Sequence, residues 1–176
     1  KSIAKEKAKR NLALLLQLVD DENAPDKQYV DMYLAETYEA LGDKIKAVEH
    51  ARKDIASGRK QGTYVSRSHR LILRILQEDQ AAAAIGCEAA AAAIRDFPEL
   101  PEFRAEYARY LAEMFNYDDA IKEIVVAIQM NQTYTGMEPS LFDNESCHLA
   151  KQLLEEWKII NKNKNNIKIS ACVIVK

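Results

Sequence analysis

An all-α fold is what the chain predicts, and three observations predict it. Turn-forming residues are scarce, with Gly 5 and Pro 4 in 176 residues; sandwiches and barrels need such residues at every strand end. Apolar side chains recur at three- and four-residue spacing, the period of a helix with one buried face. A two-helix motif also returns along the chain at a near-constant interval, as stacked repeats do. The length allows about one domain of roughly 100–200 residues. A hydrophobic share of 48% beside a charged share of 30% suits a packed core rather than a disordered chain.

The first helix spans Ala4 to Val19 and carries Leu12, Leu14, Leu15, Leu16 and Leu18. Ala24-Pro25-Asp26 breaks it from the next helix. Leu34, Ala35, Tyr38 and Leu41 then share a helix face, and Gly42-Asp43 makes a tight turn into a second helix through about Ile55. Gly42 supplies the positive φ that ends one helix, and Asp43 can cap the next. Ser66 to Asp79, with Leu71, Ile72, Ile75 and Leu76, and the Ala-rich Ala81 to Ile94 form a middle pair. In the third pair Phe103, Tyr107, Ala108 and Leu111 line one helix. Asn116-Tyr117-Asp118 turns the chain, and Ala120, Ile121, Ile124, Ala127 and Ile128 line the next. Aligning the second helices on Ala47, Ala84 and Ala120 gives intervals of 37 and 36 residues. Asp143-Asn144-Glu145 opens a closing helix with an apolar stripe of Ala150, Leu153, Leu154, Trp157 and Ile160. Flanking helices of this kind cover the apolar ends that a stack of repeats leaves.

Leu34-Ala35, Tyr38, Gly42 and Ala47 in the first pair, with Tyr107-Ala108, Leu111, Tyr117, Ala120 and Ala127 in the third, resemble the tetratricopeptide repeat (TPR). The middle pair departs from that pattern where Ile72 stands for a small residue, and the first pair departs from it at Asp54. The resemblance implies a right-handed superhelix of about three helix pairs over residues 1–160. Its small residues would meet where paired helices cross, and its first helices would line a concave groove. The groove-facing positions it implies are Tyr29, Met32, Glu36 and Glu39, then Ser66, His69 and Leu73, then Glu102, Ala105, Arg109 and Glu113.

Past Ile160 the composition changes. Asn161-Lys162-Asn163-Lys164-Asn165-Asn166 reads as a polar linker over 161–166. Residues 167–176, ending Ala171-Cys172-Val173-Ile174-Val175-Lys176, read as a buried strand that opens a further domain. Ile169 to Lys176 resembles the first strand of family 2 glycosyltransferases. Arg10-Asn11-Leu12-Ala13-Leu14-Leu15 resembles a helix placed after the catalytic domain in the TPR-linked branch, and Asp96 to Phe103 resembles its inter-repeat linker. The resemblance implies a non-catalytic segment of a glycosyltransferase whose sugar transfer lies in other domains. The other expectation is a free-standing TPR adaptor.

The chain itself offers no catalytic set. Asp20-Asp21 and Asp118-Asp119 are adjacent acids at helix boundaries, not the spaced pair that holds a nucleotide-sugar metal. Gly58 and Gly62 flank Arg59-Lys60-Gln61 without the Gly-Lys-Ser/Thr ending of a phosphate loop. His50, His69 and His148 fall on different helices, so no metal site and no cofactor is expected. Cys87, Cys147 and Cys172 lack any pairing pattern and read as reduced thiols of a cytoplasmic protein. A charge balance of 25 Lys+Arg to 27 Asp+Glu gives no global pull toward nucleic acid or anionic lipid. No apolar run reaches the roughly 18 residues of a membrane span. Arg59, Lys60, Arg67, Arg70 and Arg74 make one local basic cluster, read as a solvated face. The partners expected are therefore a protein or peptide in the groove, adjoining glycosyltransferase domains, or a second copy.

Overall fold

A computed structural model describes residues 2–20, 27–58, 65–78 and 82–174, and the described residues form helices without a strand. The chain divides into two compact units, Lys1–Asp79 and Gln80–Lys176. In the first, α1 (Ser2–Asp20) packs on α2 (Val30–Leu41), which a short 3-10 turn at Lys27–Tyr29 precedes. α2 pairs with α3 (Lys44–Ala56), and α4 (Arg67–Gln77) packs on both. The second unit runs α5 (Ala83–Asp96), α6 (Pro101–Glu113), α7 (Tyr117–Thr133) and α8 (Asn144–Ile174), each packed on the next. The expected middle pair thus falls on both sides of the division, α4 in one unit and α5 in the other.

Small residues predominate on the inward faces of α3, α5 and α7. Ala47, Ala51 and Asp54 are buried on α3, Gly86, Ala90 and Ala93 on α5, and Ala120, Ile124 and Ala127 on α7. Each set has the spacing i, i+4, i+7 that keeps one helix face turned inward. Ala84, on which the sequence alignment rests, is exposed, and Gly86 takes the inner position instead. The intervals are therefore 39 and 34 residues, not 37 and 36. An alanine-rich helix carries the same side chain on every face, so composition alone could not set its rotation. Gly86 does: a Cβ there would lie 2.2 Å from the ring of Tyr110 on α6, which is 1% exposed.

The hairpins α2–α3 and α6–α7 repeat one bond pattern 73 residues apart. Gly42 N–H donates to Glu39 O and Asp43 N–H to Tyr38 O, both at 2.9 Å. Phe115 N–H donates to Ala112 O and Asn116 N–H to Leu111 O, again at 2.9 Å. This paired closure satisfies helix-end carbonyls and requires a left-handed residue. Gly42 provides it with φ +90°, and Phe115 with φ +60°. The next helix starts alike in both: Asp43 Oδ1 accepts from Lys46 N–H at 3.1 Å, and Asn116 Oδ1 from Asp119 N–H at 3.5 Å.

The core of the second unit joins Ala108 and Leu111 of α6, Ile124 and Ile128 of α7, and Ala150 and Trp157 of α8, with Phe142 from the connecting loop. The tail corrects the expectation. Where a linker at 161–166 and a strand from 167 were expected, α8 continues as one helix to Ile174, 31 residues in all; residues 175–176 lie outside those described. Two physical causes favour the helix. Extending a formed helix avoids the cost of nucleation, and β-branched residues forfeit at most about 0.7 kcal/mol each there. A strand, by contrast, needs a partner edge. Side chains from the polar run are also used: Asn161 donates to Asp118 at 2.6 Å and Lys164 to Phe115 O at 2.9 Å.

Two tests address the helix ends. A left-handed L-residue costs roughly 1–2 kcal/mol, and the Phe115 side chain is 69% exposed, with little burial to lose. Phe115→Gly is expected to raise stability by about 1 kcal/mol and Gly42→Ala to lower it by about the same, read from urea midpoints. Asp143 Oδ1 accepts from Ser146 N–H at 2.8 Å, and that backbone bond, then the Ser146 side chain, holds its carboxyl below the usual range. A depressed native pKa contributes stability that is complete above the unfolded value and is lost as pH falls through the native one. Asp143→Asn should therefore flatten the decline of melting temperature below about pH 4.

Candidate functional site

On α2 the outward stripe is Tyr33, Glu36 and Ala40, at i, i+3 and i+7. The equivalent stripe on α6, 73 residues later, is Glu106, Arg109 and Glu113. Helical period alone selects these positions once Leu34, Ala35 and Tyr38, or Ala108, Leu111 and Ala112, are turned inward.

In the first unit the stripe borders a groove of ≈ 420 Å³ between α1 and α2. Small residues open it: Ala4 and Ala8 on α1 and Thr37 and Ala40 on α2 line it, and larger side chains there would close it. Ala8 and Thr37 are buried, whereas Leu14 is 55% and Tyr33 42% exposed. Lys7, Asn11, Leu15 and Glu36 complete the lining. A second concavity, ≈ 600 Å³, lies over α3 and α4 and includes Ile45, Val48, Arg52 and Ile75. Of its three cations, Lys44, Arg52 and Lys53, two are engaged: Lys44 with Glu78 and Lys53 with Glu49.

The structure spends much of the expected groove chemistry inside each unit. Arg74 Nε and Nη2 donate to the two carboxylate oxygens of Glu39 at 2.8 and 2.7 Å, and the bonded Glu39 raises the Arg74 pKa. Arg67 lies 3.3 Å from Glu36. The acids of the first pair and the basic cluster of the middle pair therefore answer each other across α2 and α4. Arg59 and Lys60 of that cluster lie outside the described residues. Met32 and His69 are buried at 5% and 4% exposure, and Ser66 and Leu73 are buried as well. Tyr29 is half-buried. Beneath α4, Ser68 Oγ donates to Asp54 Oδ2 at 2.6 Å, and both residues are buried. Asp54, the residue that breaks the repeat pattern, is thus an inter-helix link.

On α6, Arg109 donates to Glu106 at 3.0 Å and also to Glu113, while its guanidinium lies 4.0 Å from the centre of the Tyr110 ring. Burial alone would lower the Arg109 pKa; the charge and hydrogen bond of Glu106, then Tyr110 and Glu113, outweigh it and hold the cation. Burial likewise pushes the Tyr110 hydroxyl up, Arg109 opposing. Glu102 is buried and accepts from Ser140 Oγ at 2.9 Å, which ties the loop before α8 to α6; Ala105 is half-buried.

Other candidate groups have local roles. Asp119 accepts from Lys122 at 2.7 Å and from Asn116 at 3.0 Å, which together hold its carboxyl below the usual range. Asp118 accepts from Asn161; Asp21 lies outside the described residues. His50 Nδ1 is 2.8 Å from Asp31 and its ring stacks on Tyr38, while His148 meets Gln152 at 3.2 Å. Cys87 and Cys147 are half-buried free thiols, and burial, then the Glu113 charge, pushes the Cys87 thiol up. Gly62 is outside the described residues, as is the Cys172 side chain. Among the described residues no three His, Cys, Asp or Glu side chains gather where a metal could sit. No helix among them is long and apolar enough to cross a membrane.

Sequence reasoning missed Tyr33, Glu106 and the α1–α2 groove. Ala4 and Ala8, one turn apart, were the signal for the groove. Compared with protein-family models, with curated proteins and with solved structures, the chain finds no match.

Two ion-pair and hydrogen-bond contrasts test this arrangement. Arg74 is half-exposed, with 53% of its side chain accessible. A double-mutant cycle of Arg74→Ala with Glu39→Ala should yield only about 0.5–1 kcal/mol of coupling, shrinking with added salt. Ser68→Ala removes a buried bond to a carboxylate and should cost about 1.5–3 kcal/mol with little salt dependence, both read by denaturant unfolding.

Proposed function

We propose that this chain is a non-catalytic, cytoplasmic protein-interaction module of tetratricopeptide type, whose outward first-helix stripes bind a protein or peptide. The observation that carries this reading is the α2–α3 and α6–α7 equivalence, with its matched turn closure, cap and buried small residues 73 residues apart. Two copies of one hairpin at a fixed interval fit a repeat scaffold, which displays the same helix face at regular places. The charges on those stripes are largely matched within each unit, so what the stripes themselves offer a partner is Tyr33 and neighbouring apolar surface.

We further propose a family 2 glycosyltransferase-type protein as the setting, with sugar transfer performed by domains outside this chain. That context rests on the Arg10–Leu15 and Asp96–Phe103 segments, since the residues expected as an opening strand are helical to Ile174. The helical tail favours the second reading, a free-standing adaptor, to that extent. An acidic metal-binding pair encoded near this segment in the full reading frame would support the first context, and its absence the second.

Photo-crosslinking tests the common core of both. A benzophenone amino acid replacing Tyr33 or Glu106 should trap a defined partner, whereas the same probe at Lys122, exposed on α7, should not. Equal labelling from all three positions would deny the stripes a role.

A further inference from the structure

The α1–α2 groove has a chemical polarity that the interaction reading alone does not require. Its apolar part is Leu14, Leu15 and Tyr33, with two of these substantially exposed. Its other end carries a cation: Lys7 lines it, and Arg10, outside the lining, stands exposed three residues on. Among the described residues Glu6 pairs with Lys9, at 3.1 Å. Lys7, Arg10 and Leu14 succeed one another at i, i+3 and i+7, so cations lead directly into the leucines along one face. The acid within the groove, Glu36, is matched by Arg67 at 3.3 Å and leaves the local excess positive.

We infer that this groove takes an acidic peptide segment, in which a large apolar side chain seats against Leu14 and Tyr33 and carboxylates on one side of it meet Lys7 and Arg10. The inference rests on the interaction-module reading and specifies its ligand. The ligand is protein rather than nucleic acid because the groove pairs its cations with aliphatic surface and one tyrosine, not with a row of aromatic faces for base stacking. Charge supplies orientation and encounter rate, and the apolar seat supplies retention.

Fluorescence anisotropy on the whole 176-residue chain tests it. The probes are two labelled synthetic peptides of equal length with the same leucine and phenylalanine anchors, one flanked by glutamates and the other by lysines. The acidic peptide should bind at least roughly ten-fold tighter, and its affinity should fall several-fold between about 50 and 300 mM salt. Lys7→Glu and Tyr33→Ala should each weaken it by roughly ten-fold. Lys151→Glu, the same charge change on α8, should leave it unaltered. Both altered groove side chains are solvent-accessible, and circular dichroism checks that the variants keep their helix content. Equal binding of both peptides, lost in Tyr33→Ala, overturns the acidic preference and leaves the interaction reading standing. Acidic binding that ignores Lys7→Glu and Tyr33→Ala overturns the site. No binding of either peptide at about 1 mM overturns the inference, whereas the interaction reading falls only if the crosslinking contrast also fails.

Discussion

Close approach of helices at small side chains is the constraint on which the rest depends. A helix pair can bring its backbones close only where side chains are short, and the buried positions of α3, α5 and α7 include Ala47 and Ala51, Gly86 and Ala90, and Ala120 and Ala127. Each crossing fixes the rotation of its helices. Rotation decides which residues turn outward, and so places Tyr33 beside the groove and Arg109 between its two glutamates. At Gly86 the constraint is sharpest, because an adjacent buried ring fills the space of the missing Cβ.

Once rotation is set, electrostatics is mostly internal. Charges that look like two separate patches in sequence, acids on α2 and arginines on α4, face each other in space and are bonded. Exposed pairs of this kind contribute little to stability. Their effect is to match the charges of α2 and α4 within the unit, so Lys7 of α1, beside the groove, stands out by contrast.

The helices and their turns were legible because their causes are local. Gly42 and Asp43 announce an end and a cap that depend on a few neighbouring residues, and their bonds are those expected; Asn116, read as part of a turn, caps α7 in the same way. What was not legible depends on distant partners. The register of α5 could not be read from an alanine run, since only Tyr110 shows which face is inside. Asp54 looked like a flaw in a repeat until Ser68 appeared beside it. Residues 161–174 carry strand-forming and linker-like composition, yet they extend a helix already formed and anchored through Trp157, Asn161 and Lys164. Local propensity lost to continuity. At the candidate site, Glu36 and Arg109 lie on the outward stripes, while Met32 and His69 turn inward, a difference of one helical position that periodicity resolves poorly.

Trp157 has a consequence of an optical kind. It is the single tryptophan of the chain and lies 6% exposed in the core of the second unit, packed with residues of α6, α7 and α8. The described aromatic residues of the first unit are tyrosine and histidine alone. Red-edge emission is therefore a signal of one unit, whereas far-ultraviolet ellipticity sums helices from both. Overlaid denaturation curves from the two signals measure whether the units melt as one cooperative body or in succession, with no label added to the protein.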